Sequence, residues 1–366
     1  MSPPDDRTGP TGPDTAGPDT TDDRASVSFG PGGSVMMVEV TRGPLVESRH
    51  RGRAVVADAR GRVAAHWGDV EAPVYPRSAI KPLQAIPLVE SGAAEAFGLS
   101  DVEVALACSS HNAEPEHVSR VTAWLERIGL SEDALECGSH LPYHAPTAEA
   151  MLRSGKAPGP ACNNCSGKHA GFLTTALHKG EPTAGYIEAA HPVQQRILGV
   201  LEAMCVRDLS QAPRGRDGCS VPTWAISLGG IAVGMARLAD TADLPDARAA
   251  AADRIRRAWG GEPFYIAGTG RVETAVMQAT RGRVLVKGGA EGVSCICLPE
   301  MGLGAALKIE DGADRAADRA LIALLDHIGA LDDADPEPLK PWRDRVITNR
   351  RGFEVGMIRP ATGFPG

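Results

Sequence analysis

Apolar runs of strand length occupy both ends of the chain, and apolar residues recur at helical spacing between them. Val35 to Val40 reads as a first strand. Arg53 to Asp58 and Arg62 to Trp67 flank the turn Asp58-Ala59-Arg60-Gly61 and predict an antiparallel hairpin at a sheet edge. Towards the C-terminus, Arg283 to Gly289, Val293 to Leu298 and Gly304 to Ile309 follow one another closely and predict a continuous antiparallel sheet. A last helix, Ala316 to Ile328, packs across it. Between these ends Val118, Val121, Trp124, Leu125 and Ile128 lie on one helical face, with Glu114 and Glu116 at the start, where the helix dipole favours acids. Further helices are predicted from Ser166 to His178, from Pro192 to Cys205, after Asp217-Gly218-Cys219, and from Ala247 to Trp259. The run from Ala225 to Ala236 is 12 residues with three glycines, too short to span a bilayer, and reads as a buried helix. Together these elements predict an α+β fold, an α/β sandwich of antiparallel sheet flanked by helices, with a helical insert in the middle as a subdomain.

Residues 1–34 contain six prolines, six glycines and six aspartates and few apolar side chains. Such a segment cannot offset its ordering entropy, so a disordered tail is expected there and one catalytic domain over 35–366. The segment lacks the basic-then-apolar order of an export signal, and the eight cysteines therefore read as reduced thiols of a cytoplasmic protein. The 366-residue chain is long enough for a sizeable core; with 43% hydrophobic and only 4% aromatic residues, that core is mainly aliphatic. The net charge of -8, without a cluster of Lys and Arg, argues against a nucleic-acid partner.

Candidate chemistry begins at Ser78-Ala79-Ile80-Lys81. The predicted helix there is short or bent because of Pro82 and Pro87. A serine and a lysine three apart share a helix face, and a neutral lysine can take the serine's proton; the plain alternative is a serine N-cap followed by a solvated lysine. Ser110-His111-Asn112 and Lys287-Gly288-Gly289 follow in sequence. The order Ser-x-x-Lys, Ser-x-Asn, Lys-x-Gly is that of penicillin-recognising serine enzymes, in which the strand lysine is expected on an edge strand. Ser110 can relay a proton, Asn112 can hold polar substrate groups, and the glycines let a substrate approach backbone.

The segment from Glu136 to Lys168 is turn-rich and crowded with Cys, His and Asn, as functional irregular segments are. Cys162 and Cys165 form a C-x-x-C, whose further zinc ligands would come from Cys137, His140, His144 or His169. The alternative is that these are buried free thiols. Cys108, Cys205, Cys295 and Cys297 lie in apolar elements and belong to the core.

Five blocks in one order carry a resemblance: Tyr75 to Gln84, Cys108 to Asn112, Cys137 to His140, Asn163 to His169 and Asp217 to Pro222. They resemble the signature blocks of the rhizobial-type L-asparaginases, a family distinct from the bacterial threonine-type and plant-type enzymes. The resemblance spans residue 36 to the C-terminus. It implies a fold like that of serine β-lactamases and glutaminases, hydrolysis of L-asparagine to aspartate and ammonia, and a homodimer. It further implies two Ser-Lys pairs, Ser78 with Lys81 and Ser110 with Lys287. A zinc, structural or substrate-orienting, would be held by Cys165, Lys168 and Cys219 plus water, displacing the C-x-x-C reading. Arg77, His169 and Asp217 match positions around the pocket, where a carboxylate can hold the substrate ammonium and a cation its carboxylate. Which serine attacks stays open, and the alternatives are an acyl-serine hydrolase of glutamine or a peptide and a non-catalytic zinc-stabilised binding protein.

Overall fold

The computed structural model describes residues 33–366. The expected tail falls outside the described residues apart from Gly33 and Ser34, and Ser34 is buried, its hydroxyl donating to Glu310 Oε2 at 2.7 Å. The main sheet has eight strands: β1 (Val35–Arg42), β2 (Leu45–Asp58), β3 (Val63–Trp67), β4 (Leu285–Gly289), β5 (Val293–Leu298), β6 (Leu303–Ile309), β7 (Arg345–Thr348) and β8 (Glu354–Pro360). Their order is β7-β8-β1-β2-β6-β5-β4, with β3 also paired to β2, and every pairing is antiparallel. The three C-terminal strands therefore lie side by side as the sequence predicts, and β4, which carries Lys287, is at the sheet edge. The hairpin of β2 and β3 forms, but its place at an edge is corrected. Residues Gly52 to Asp58 of β2 pair with β6 on their other side, a partner supplied some 250 residues later in the chain.

Both faces of the sheet are covered. Val55, Ala57, Cys295 and Cys297 face one core and Ala54, Val56, Ile296 and Leu298 the other. With two buried faces the strands carry continuous apolar runs, which is why their pattern reads as strand without a polar side. The helices that matter for the site are α1 (Lys81–Gln84), α2 (Asp101–Ala107), α3 (Pro115–Arg127), α4 (Ser166–Lys179), α5 (Pro192–Cys205), α6 (Leu228–Ala239), α7 (Asp246–Gly261), α8 (Val272–Ala279) and α9 (Asp314–His327). Helices α6 and α7 pack Ile231, Ile255 and Trp259 on the first face; α9 packs Leu321, Ile322, Leu324 and Leu325 on the second. Each such aliphatic side chain contributes about 1.5–3 kcal/mol, enough in sum to outweigh the cost of nucleating an isolated helix. Gly304 lets α6 lie directly on β6, since a Cβ there would overlap the backbone of Ala232 and Ala236.

The helix expected after Asp217-Gly218-Cys219 is a correction. Those residues form the turn of a small hairpin, Arg214–Arg216 against Pro222–Trp224, and the helix begins only at Leu228. Asp217 N donates to Val221 O at 2.8 Å, Ser220 takes a positive φ of 75°, and Pro222 disfavours a helical residue before it. Strands β7 and β8 close the far edge and have no counterpart among the predicted elements. Among the described residues no helix is long and apolar enough to cross a membrane.

Candidate active site

Ser78 lies in a 3₁₀ turn, Arg77–Ile80, that runs into α1. Arg77 has a φ of +51°, a conformation a non-glycine residue adopts at a cost. The turn sits on the end of β4. A Cβ on Gly289 would lie 2.7 Å from Ala79 N and 3.0 Å from Pro76 O, so only glycine permits this approach. Ser110 comes from the other side. The capping box Ser100-x-x-Glu103, with Ser100 N donating to Glu103 Oε2 at 2.9 Å, starts α2. The chain then leaves α2 at Cys108 and is fixed by Ser110 N donating to Ile266 O at 2.9 Å.

Lys81 and Lys287 both converge on Ser110. Each Nζ is 2.9 Å from Ser110 Oγ. Lys81 also donates to Ser109 O at 2.5 Å, and Lys287 to Gly288 O at 2.6 Å. Both lysines are fully buried. Among the described residues no hydrogen bond joins Lys81 to Ser78, and the half-buried Ser78 hydroxyl has no hydrogen-bond partner. The two amines are at most twice 2.9 Å apart. Two unit charges at about 5 Å repel by roughly 3 kcal/mol in an effective dielectric of about 20. Burial, reinforced by the charge of Lys81, lowers the Lys287 pKa to about 7.

The cleft above these residues has a volume of about 510 Å³ and is lined by Ser78, Ser110, Asn164, Arg271, Glu273 and Gly289. Further out it reaches Asp318, Trp342 and Arg345. None of Arg271, Glu273, Asp318 and Arg345 was singled out from the sequence. The available signal, an acid in the first turn of α8, reads as ordinary helix capping. Glu273 is buried; burial alone would raise its pKa, but Arg271 and then Lys287 outweigh it and hold the carboxyl below its usual range. Asp318 is pushed up to about 6 by burial and by the negative charge of Glu273.

Asn112 lies behind Ser110 rather than in the cleft. Its Nδ2 donates to Thr269 O at 3.2 Å, its Oδ1 is buried without a partner, and the glycine at 268 is required because any Cβ would overlap the Asn112 amide. His111 ties this block to α4. Ala113 N donates to its Nδ1 at 3.2 Å, so Nε2 carries the proton and donates to Ser166 Oγ at 2.9 Å.

The second constellation forms at the N-terminus of α4. Lys168 Nζ is 3.1 Å from Cys219 Sγ, and the Cys165 thiol donates to the same sulfur. That hydrogen bond, with the Lys168 charge, overcomes burial and holds the Cys219 pKa well below its usual value. Donating to Cys219 and being buried push Cys165 up to about 12. Burial alone would lower the pKa of Lys168, but the two sulfurs reverse this and raise it. Two sulfurs and an amine meeting at one point suit zinc, provided the metal displaces the protons of Lys168 and Cys165. The C-x-x-C alternative is not assembled, since among the described residues no three His, Cys, Asp or Glu side chains converge as a metal site. Its histidines are engaged elsewhere: His140 Nε2 accepts from Asn164 N at 2.9 Å and His144 Nδ1 pairs with Thr147 Oγ1 at 2.8 Å.

Asp217 joins the two constellations. Arg77 Nε donates to Asp217 Oδ1 at 2.8 Å, and Lys168 acts on the same carboxylate from the other side. Burial alone would raise its pKa; Lys168 and Arg77 together lower it. His169 is fully buried, which holds its imidazole neutral. Tyr186 OH accepts from Glu136 N at 2.8 Å and so donates to His169 Nδ1 at 2.7 Å, leaving His169 Nε2 as a protonated nitrogen without a partner.

Comparison with known proteins gives one family. The family described as L-asparaginase II matches residues 38–360. No curated protein matches the sequence. Among solved structures, Mglu in its native form aligns at 14% identity and a TM-score of 0.42, over 76% of this chain and 65% of that one, so the chain spans just under two thirds of its length. A β-lactamase from Mycobacterium bovis aligns at 14% identity and a TM-score of 0.36, covering 80% of this chain and 94% of that one. A putative β-lactamase from Bacteroides dorei aligns at 12% identity and a TM-score of 0.38, covering 70% and 84%.

Proposed function

The chain belongs to the L-asparaginase II family and is an amidohydrolase, and on that premise we propose that it hydrolyses the side-chain amide of L-asparagine to L-aspartate and ammonia by Ser-Lys catalysis. The observation that supports this reading most is the pair of 2.9 Å hydrogen bonds by which Lys81 and Lys287 hold Ser110 Oγ at the floor of the cleft, beside the free hydroxyl of Ser78. A hydroxyl oxygen that accepts from two amines has its lone pairs engaged, and what it offers is its own proton. Ser110 therefore relays, and Ser78, whose oxygen is unoccupied and reaches the cleft, attacks.

In the first step Ser78 Oγ adds to the amide carbon while its proton passes into the Lys81-Ser110-Lys287 network, where Lys287 is the amine poised near neutrality to hold it. Backbone N–H groups of the Arg77–Ile80 turn stabilise the oxyanion. The network returns the proton to the amide nitrogen, the C–N bond breaks, and ammonia leaves. Water then adds to the acyl-serine, losing a proton to the same network, and aspartate is released as Ser78 regains its proton. Arg77 and Asp217 hold the substrate's carboxylate and ammonium ends, with His169 and Asn112 shaping the pocket. A zinc held by Cys165, Lys168 and Cys219 would polarise a substrate group as a Lewis acid and fix the Asp217 turn. The same resemblance supports a cytoplasmic homodimer.

The deciding experiment compares ammonia release from L-asparagine and L-glutamine. Preference for asparagine by at least an order of magnitude is expected. Equal rates would overturn the asparagine assignment, and no release from either would overturn the catalytic reading.

A further inference from the structure

Glu273 is the charged cleft residue that the mechanism above leaves without work. Only 2% of its surface is exposed, in the first turn of α8, and its Oε2 is buried without a hydrogen-bond partner. Its Oε1 accepts from Arg271 Nη2 at 3.2 Å. Gly288 makes room for it, since a Cβ there would lie 2.5 Å from Glu273 Oε1. The carboxylate is thus pressed against the edge strand one residue past Lys287. A buried carboxylate with one oxygen unpaired is costly, and such groups persist in cores where their charge is used.

We propose that Glu273, packed against the backbone at Gly288, is a positioning residue that acts on the reaction through the Lys287 amine. This rests on the Ser-Lys reading of the site. The groups that face Lys287 are few. Lys81 on α1 and Arg271 beside α8 bring positive charge; Glu273 brings negative charge; and Cys165, Cys108 and Cys295 are thiols from the neighbouring elements. Asp318 on α9 faces Glu273. Cys108 and Cys295 are held protonated by burial, so neither contributes a full charge. With Lys81 and Arg271 alone, Lys287 would give up its proton too readily and become a weak base. Glu273 offsets that and keeps the amine basic enough to hold the proton it takes from the serine relay. Arg271 then has a second task, since by pairing with Glu273 it keeps the carboxylate ionised without forming the pair with Lys287 itself.

The test uses Glu273→Gln and Glu273→Asp in the full chain. The acid limb of kcat/KM against pH for ammonia release reports Lys287 in the free enzyme. Glu273→Gln is expected to move that limb to lower pH by about one unit and to lower the plateau about tenfold, and Glu273→Asp to stay near wild type. Urea unfolding between pH 5.5 and 7.5 supplies a readout that needs no turnover. The pH-dependent stability difference between Glu273→Gln and wild type is expected to vanish when both carry Lys287→Met. An unmoved acid limb, or a stability difference that persists in the Lys287→Met background, overturns the proposal and leaves Glu273 as the partner of Arg271 alone. If the wild type releases no ammonia from any amide, the Ser-Lys reading is what has failed; the unfolding series still decides whether Glu273 acts on Lys287.

Discussion

Lys287 Nζ and Ser110 Oγ lie 2.9 Å apart although 177 residues separate them in the chain. The contact joins the edge strand β4 to the end of α2 and brings the amine against the oxygen that Lys81 also holds. Its consequence is electrostatic. A lysine with a pKa of about 7 is half neutral at physiological pH, where an ordinary lysine is a poor base.

The depressed Lys287 pKa fixes the sign of two pH effects. Below about pH 7 both the folded and unfolded states carry this proton. From there to about pH 10.4 only the unfolded state does, so the unfolded state binds more protons and stability rises with pH across that window. Lys287→Met is therefore expected to gain a few kcal/mol over wild type near pH 6, the gain shrinking towards pH 10. Urea unfolding at a series of pH values measures this. Turnover in the wild type is expected to rise through pH 7.

Separate removal of the two serines distinguishes nucleophile from relay. Ser78→Ala is expected to abolish any acyl-enzyme and lower ammonia release by at least about a thousandfold. Ser110→Ala is expected to form the acyl-enzyme slowly, with a loss of about 10²–10⁴. Acid quench and intact-mass measurement reads the difference. An acyl adduct on Ser110 in the Ser78→Ala variant would exchange their roles.

Metal binding is expected at Cys165, Lys168 and Cys219. Elemental analysis should find zinc in the wild type and little in Lys168→Met or Cys219→Ala. Chelation should lower the melting temperature of the wild type alone, since a ligand present at a thousandfold over its Kd stabilises by about 4 kcal/mol. Unchanged zinc content in both variants would place the metal elsewhere.

Gly289→Ala tests whether the Ser78 turn is seated by the strand. The added Cβ meets Ala79 N at 2.7 Å, so the turn must lift. A cost of about 1–3 kcal/mol is expected, together with a fall in kcat. Wild-type turnover in this variant would show that the seating of the turn is immaterial.

Much of the site was legible because it is local. The tetrapeptide Ser78 to Lys81, the Ser110-His111-Asn112 block and Lys287 followed by two glycines could be read along the chain, and the glycine-ended strand at the sheet edge was found where expected. The partnership of Lys81 was not legible. Three residues from Ser78, it is turned towards Ser109 O and Ser110 Oγ, and that choice depends on where α2 ends. Asp217 and Cys219 read as a helix start because turn chemistry and helix starts use the same residue types; the hairpin emerges from Pro222 and the Val221 carbonyl.

What the sequence determined by itself is the set of reactive groups and the kind of element each sits on, since periodicity, capping and glycine placement act within a few residues. Tertiary structure alone decided which groups meet. The order of strands places β2 inside the sheet and β4 at its edge, and the packing of α8 brings Arg271 and Glu273 into the cleft. The pKa of Lys287 belongs to this second class. Burial and the charges of Lys81 and Glu273 set it, and these reach Lys287 from elements 206 and 14 residues away, 287 less 81 and 287 less 273.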